Sequence, residues 1–133
     1  MKTLMLASTI LLLSGCQSLS SENLETAIIG DWQIESVMGT PVVDSPANLK
    51  FTVDGRVAGN NSCNNFFGQY GVEGNEIKLT AKGSTRMMCP ELLMRQANSI
   101  DRAMPLIAVG EMNMGQLELR DVTGKAVFVL NKR

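Results

Sequence analysis

The chain has 133 residues, 44% hydrophobic and 19% charged, with a formal net charge of -1 and no histidine. That length and composition suit one folded domain. The charge balance excludes a broad basic surface for nucleic acid, and the missing histidine removes the commonest general base and the commonest metal ligand.

The first residues read as an export signal rather than as fold. Lys2 supplies a short positive region, and Leu4 to Leu13 is apolar except for Ser8 and Thr9. This run is too short to span a bilayer and suits a signal peptide. Leu13-Ser14-Gly15-Cys16 follows, and small residues before a cysteine resemble the bacterial lipobox. The expectation is cleavage after residue 15 and lipidation of Cys16, with the alternative of an ordinary secretory signal and an incidental cysteine. Several acyl chains there would anchor firmly, at about 0.8 kcal/mol per buried methylene. Gln17 rather than Asp after the cysteine points, by resemblance to the bacterial sorting rule, to the outer membrane. Residues 16–27 are expected to be the lipidated N-terminus and a flexible, Ser-rich tether, and 28–133 the domain.

Within the domain, Trp32 and Ile34 alternate with Gln33 and Glu35 and predict a half-buried strand over 30–37. Trp32 reads as core, with a binding platform as the alternative. Gly39 to Pro46 is turn-rich. Leu49, Phe51 and Val53 share one face of a second strand, Asp54-Gly55 is a hairpin turn, and Arg56 to Gly59 returns. Gly59 to Tyr70 is dense in Asn and Gly, which suit irregular backbone, yet holds Cys63, Phe66, Phe67 and Tyr70. It is expected to be a tight, buried connection. Tyr70–Val72 and Glu76–Thr80 are short strands about the turn Glu73-Gly74-Asn75, and Lys82-Gly83-Ser84 breaks the pattern. Pro90 opens a helix whose Leu93, Ala97, Ile100 and Met104 recur at helical spacing, with Arg95 and Arg102 off that stripe and Pro105 at its exit. Gln116–Arg120 and Ala126–Leu130 are the closing strands, the last apolar on both faces and so central or well covered. The class is α+β: antiparallel meanders packed against one helix.

With Cys16 lipidated, Cys63 and Cys89 remain as an even pair in an oxidising compartment and are expected to be joined. The bridge would close about 27 residues and stabilise by roughly 3 to 4 kcal/mol. A reactive thiol lacks a histidine to activate it, and a metal site lacks companion ligands. No metal or other cofactor is expected: no phosphate-cradling glycine loop and no spaced carboxylate pair stands out. The methionine pairs Met87-Met88 and Met112/Met114 read as irregular core filling, with an adaptable apolar surface or copper(I) capture as alternatives.

The order Gly30-x-Trp32, Leu49-x-Phe51, Gly59, Cys63-Asn64-x-Phe66-x-Gly68-x-Tyr70 and Thr85-Arg86-Met87-Met88-Cys89 resembles the META domain, and within it the HslJ-type heat-shock lipoproteins. Asn65 departs from the family pattern, where a basic residue is common. The resemblance implies an antiparallel sheet curled like a cracked barrel with one helix against it, an envelope location, a link to heat shock or novobiocin resistance, and no established enzymatic activity. On it, Gly59 and Gly68 bracket a sharp connection and Asn64 bonds nearby backbone. Arg86 either pairs with loop carbonyls or an acidic neighbour, or recognises an anion. The function expected is a non-catalytic lipoprotein, periplasm-facing, that supports stress or antibiotic tolerance by binding a protein partner or a hydrophobic ligand in a crevice lined by Met and Phe. Alternatives are an inhibitor of a hydrolase such as lysozyme, acting through a polar loop around Lys82–Ser84, or an assembly factor for an outer-membrane component.

Overall fold

A computed structural model of the protein describes residues 23–133; the expected signal peptide and the expected lipidation site Cys16 lie outside the described residues. Alternating apolar residues set most of the strands, and their pairing closes them into a ring. In chain order the strands are β1 (Gly30–Val37), β2 (Thr40–Pro41), β3 (Asn48–Phe51), β4 (Arg56–Asn60), β5 (Asn65–Glu73), β6 (Glu76–Ser84), β7 (Val109–Asn113), β8 (Gln116–Arg120) and β9 (Ala126–Lys132). All neighbours are antiparallel, and β9 pairs back onto β1, with Ile34 opposite Leu130. The short β2 flanks the end of β1 at Ser36 and Val37. The ring is not a regular barrel. β6 and β7 share the single pair Glu76–Val109, and Pro105 of the 3-10 turn Met104–Leu106 and Ile107 line the space beside that seam.

Inward side chains form one core: Trp32, Ile34, Leu49, Phe51, Val57, Phe66, Ile77, Leu117, Leu119, Phe128 and Leu130. Trp32 is 1% exposed, its Nε1 donates to the Ile28 carbonyl at 2.8 Å, and the Lys132 ammonium lies 4.6 Å from its ring centroid. It is therefore a core residue and not a binding platform. Tyr70 sets its ring edge-on to Phe51 and donates its hydroxyl to the Thr52 carbonyl at 2.6 Å. Burial, with Glu25 and Asp54 adding to it, pushes the Tyr70 phenol above its ordinary value.

Helix α2 (Glu91–Ala103) lies across the end of the ring where β1 and β4 finish, and it buries Ala97, Ile100 and Ala103. Full burial of Ile100 alone is worth about 1.5–3 kcal/mol. Near the start of β1, helix α1 (Leu24–Ala27) packs Leu24 against Gly110 of β7.

Several expectations change. Residues 23–27, expected as part of the tether, belong to the folded domain, because Asn23 caps α1 through Glu25 N–H and Leu24 and Ile28 are buried. Val53 lies beyond β3 and is exposed, because the chain already turns at Thr52–Gly55. Gly59 to Tyr70 is mostly strand, and only Asn61–Asn64 is connection. Lys82–Ser84 is not a break: β6 continues through it, opposite Phe66 and Phe67, around a bulge. β7 had no expectation, since Val109-Gly110-Glu111-Met112 shows little apolar alternation.

Candidate functional site

The residues that carry the family motif build a stapled corner. Gly59 and Gly68 are there for close approach, not for a positive φ. A Cβ at Gly59 would collide with the Asn48 carbonyl oxygen and with the Phe66 ring, and one at Gly68 with the Thr80 carbonyl oxygen. Between them the β4–β5 turn is held by its own amides. Asn61 Oδ1 accepts from Cys63 N–H at 3.0 Å and Asn64 N–H at 2.7 Å, and Asn60 Oδ1 accepts from Ser62 N–H at 2.8 Å. This lets Ser62 take a φ of 98°, in the left-handed region that L residues avoid.

Two links tie the turn to the segment after β6. Cys63 and Cys89 form a disulfide, with Cα atoms 5.8 Å apart. Asn64 Oδ1 accepts from Met87 N–H at 2.5 Å and from the Thr85 hydroxyl at 3.0 Å, while Thr85 Oγ1 accepts from Asn65 N–H at 3.1 Å. Asn64 and Thr85 thus spend their hydrogen-bonding groups inside the protein. Arg86 is exposed and has neither a hydrogen bond nor an ion pair among the described residues, contrary to the structural pairing expected of it. Met87 and Met88 are exposed, Met88 to 88%, and Met114 sits at the tip of the β7–β8 turn, so these methionines do not fill core.

A third link was missed by the sequence reading. Gln96 is buried on α2. Its Oε1 accepts from Val43 N–H at 2.7 Å, and its Nε2 donates to the Val43 carbonyl at 3.0 Å and to Ser62 Oγ at 3.1 Å. Ser62 also accepts from Ser45 at 2.8 Å, and Asn61 Nδ2 donates to Asp101 Oδ1 at 2.9 Å. The signal was present: Gln96 lies three residues after Leu93 and four before Ile100, a polar residue on the apolar stripe.

Gln96 fixes the arm 38–43 at a distance from α2, and the space between them is an apolar groove of about 440 Å³. Met38, Val42 and Val43 form one wall with Val37, and Leu92, Ala103 and Leu106 the other. Ser99 lies on the helix wall, flanked by Arg95 and Arg102. No Asp or Glu lines the groove. The groove differs from the expected crevice lined by Met and Phe, since it holds Met38 but no phenylalanine: Phe51, Phe66 and Phe128 are inside the ring, and Phe67 lies on the outer face over Gly83. A wider hollow of about 950 Å³ follows the β6–β7 seam, but mixed charges, Glu73, Glu76 and Lys78, line it among the apolar residues. Among the described residues no group of three or more Cys, Asp or Glu is placed to hold a metal ion, and no helix is long and apolar enough to cross a membrane.

The family model of the META domain matches residues 23–133. No curated protein sequence matches the chain. Among solved structures, a protein determined by NMR is 29% identical, with a TM-score of 0.60 over 80% of this chain and 92% of that one. A protein from Burkholderia xenovorans, 15% identical, gives a TM-score of 0.65 over 93% and 99% of the two chains. A DUF4847-family protein from Bacteroides vulgatus, 13% identical, gives 0.61 over 83% and 96%. The last two likenesses show the fold alone.

Proposed function

The chain belongs to the META-domain family, and on that premise we propose that it is a non-catalytic envelope lipoprotein that supports tolerance of heat or antibiotic stress by binding a hydrophobic ligand. The observation that carries the binding role is the apolar groove between α2 and the 38–43 arm. Its volume falls within the range of small-molecule sites, roughly 300–1,000 Å³. A stable protein interface needs about 800 Å² from each partner, far more wall than the groove offers. That difference favours the hydrophobic ligand over the protein partner. The envelope role is supported by the signal-like run ending at Gly15-Cys16, which would place lipid on Cys16 and the domain in the periplasm beside the outer membrane. The Cys63–Cys89 bridge suits an oxidising space. The HslJ-type motif supports the stress role. The hydrolase-inhibitor alternative loses its specific feature, since Lys82–Ser84 belongs to β6 and is not a protruding loop.

The test is complementation of a deletion strain under heat and under novobiocin. Wild type should restore growth. Cys16→Ser should fail for lack of an anchor. Ser99→Trp, which fills the groove from a half-buried helix position on its wall, should fail at normal abundance and melting temperature. Full rescue by a folded Ser99→Trp protein would refute the groove, and a deletion with no phenotype in either stress would refute the tolerance role.

A further inference from the structure

We infer that the groove selects amphiphilic anions, and specifically single-chain carboxylates of the fatty-acid type, with the chain in the trough and the carboxylate over Ser99 between Arg95 and Arg102. This rests on the groove being a ligand site and adds the chemistry of its ligand. Helix α2 places Leu92, Ser99 and Ala103 along the trough and the 3-10 turn adds Leu106, so apolar side chains lie on both sides of Ser99, whose hydroxyl donates back to the Arg95 carbonyl at 3.0 Å. Arg95 and Arg102 stand seven residues apart, about 10 Å along the axis at 1.5 Å per residue. A head group over Ser99 then lies about 5 Å along the axis from either cation. Charge complementarity points one way: the lining holds two guanidinium groups and no carboxylate, in a chain whose net charge is -1.

Neither cation is tightly committed. Arg95 pairs with Glu91 at 2.8 Å, but both side chains are largely exposed, and such pairs hold weakly. Arg102 makes a 3.3 Å bond from Nε to the Asn98 carbonyl and has no acidic partner among the described residues. Guanidinium groups suit a carboxylate because their planar fork can donate two parallel hydrogen bonds. The trough suits one alkyl chain: its floor, Val37 and Ala103, is buried, while its flanks at Leu92 and Leu106 are partly exposed apolar surface that a chain would cover.

The test is titration calorimetry of the domain with dodecanoate and dodecyltrimethylammonium below their micelle concentrations and dodecanol below its solubility limit, with amide NMR shifts to locate binding. Dodecanoate should bind roughly tenfold more tightly than dodecanol, the value of a charge-assisted bond at a partly exposed site. The ammonium should bind more weakly still. Affinity should rise roughly tenfold for every two methylenes added between octanoate and dodecanoate. Shifts should centre on Val42, Ser99 and Ala103. The Arg95→Ala/Arg102→Ala double variant should bind dodecanoate no more tightly than dodecanol at an unchanged melting temperature, which separates lost recognition from lost fold. Equal binding of all three amphiphiles by the wild type would overturn the anion preference and leave the hydrophobic-ligand reading standing. Failure of any amphiphile to bind would overturn both.

Discussion

Cutting the Cys63–Cys89 bridge should cost more than any other single change in the stapled corner. The two cysteines are 26 residues apart in sequence. In the chain-entropy model, a closed loop of that size restricts the unfolded chain by about 3.5 kcal/mol at 25 °C. The folded side loses less, because the turn keeps a second tie to the segment after β6 through the bonds of Asn64 with Thr85 and Met87. The Cys63→Ala/Cys89→Ala protein should therefore still fold, with unfolding free energy lower by about 3 kcal/mol. For a domain of this size that corresponds to a melting temperature lower by roughly 12 °C or more. Urea unfolding should also show a larger m value, because the freed denatured chain exposes more surface. Asn64→Ala in the bridged protein should cost about 1–2 kcal/mol. In the unbridged protein it should cost more, since both ties act on the same pair of segments and their effects couple. Strictly additive costs would refute the shared-segment reasoning. A loss under 1 kcal/mol on removing the bridge, with an unchanged m value, would refute the loop-entropy account itself.

Gly59→Ala and Gly68→Ala should each destabilise by about 2 kcal/mol or more, because the new methyl meets a backbone carbonyl that cannot swing away; Gly71→Ala, on the same strand as Gly68 with open space around it, should be neutral or slightly stabilising by the same denaturation assay. Met114→Gly should stabilise by roughly 1 kcal/mol, since Met114 is fully exposed at a φ of 50° and has no packing to lose. Gln96→Leu should cost about 1–3 kcal/mol by leaving both Val43 backbone groups unpaired, and amide exchange across 41–44 should quicken with it. Asp54 and Asp121 have lowered pKa values, first through their bonds to Thr52 and Thr123. A carboxylate whose folded pKa is depressed contributes stability above its unfolded value near 3.8, and that contribution fades as pH falls through the folded pKa. Stability should therefore decline below about pH 4, and Asp54→Asn/Asp121→Asn should flatten that decline in pH-dependent melting curves.

The elements that were legible were those whose signal is local. Leu49 and Phe51 alternate, Asp54-Gly55 turns, and Leu93, Ala97 and Ile100 repeat at helical spacing, so β3, the β3–β4 hairpin and α2 could be read from neighbours in the chain. The disulfide was legible by counting cysteines against the compartment. The extent of β5 and β6 was not, because Asn65 and Lys82-Gly83-Ser84 are poor strand formers that become strand only through their partners, Asn65 opposite Asn60 of β4 and Gly83 and Ser84 opposite Phe67 and Phe66 of β5. The rings of Phe66 and Phe67 over Gly59 and Gly83 supply side-chain contact that the glycines lack.

By itself the sequence determined the periodicities, the turns, the stripe on α2 and the family motif, since each is a pattern among residues close in the chain. Tertiary structure alone decided that β9 closes onto β1, that the ring opens at the β6–β7 seam, and that Gln96 reaches Val43 across 53 positions to hold a groove open beside Arg95 and Arg102. Those facts depend on where distant segments meet, and only the burial of the shared core fixes that meeting.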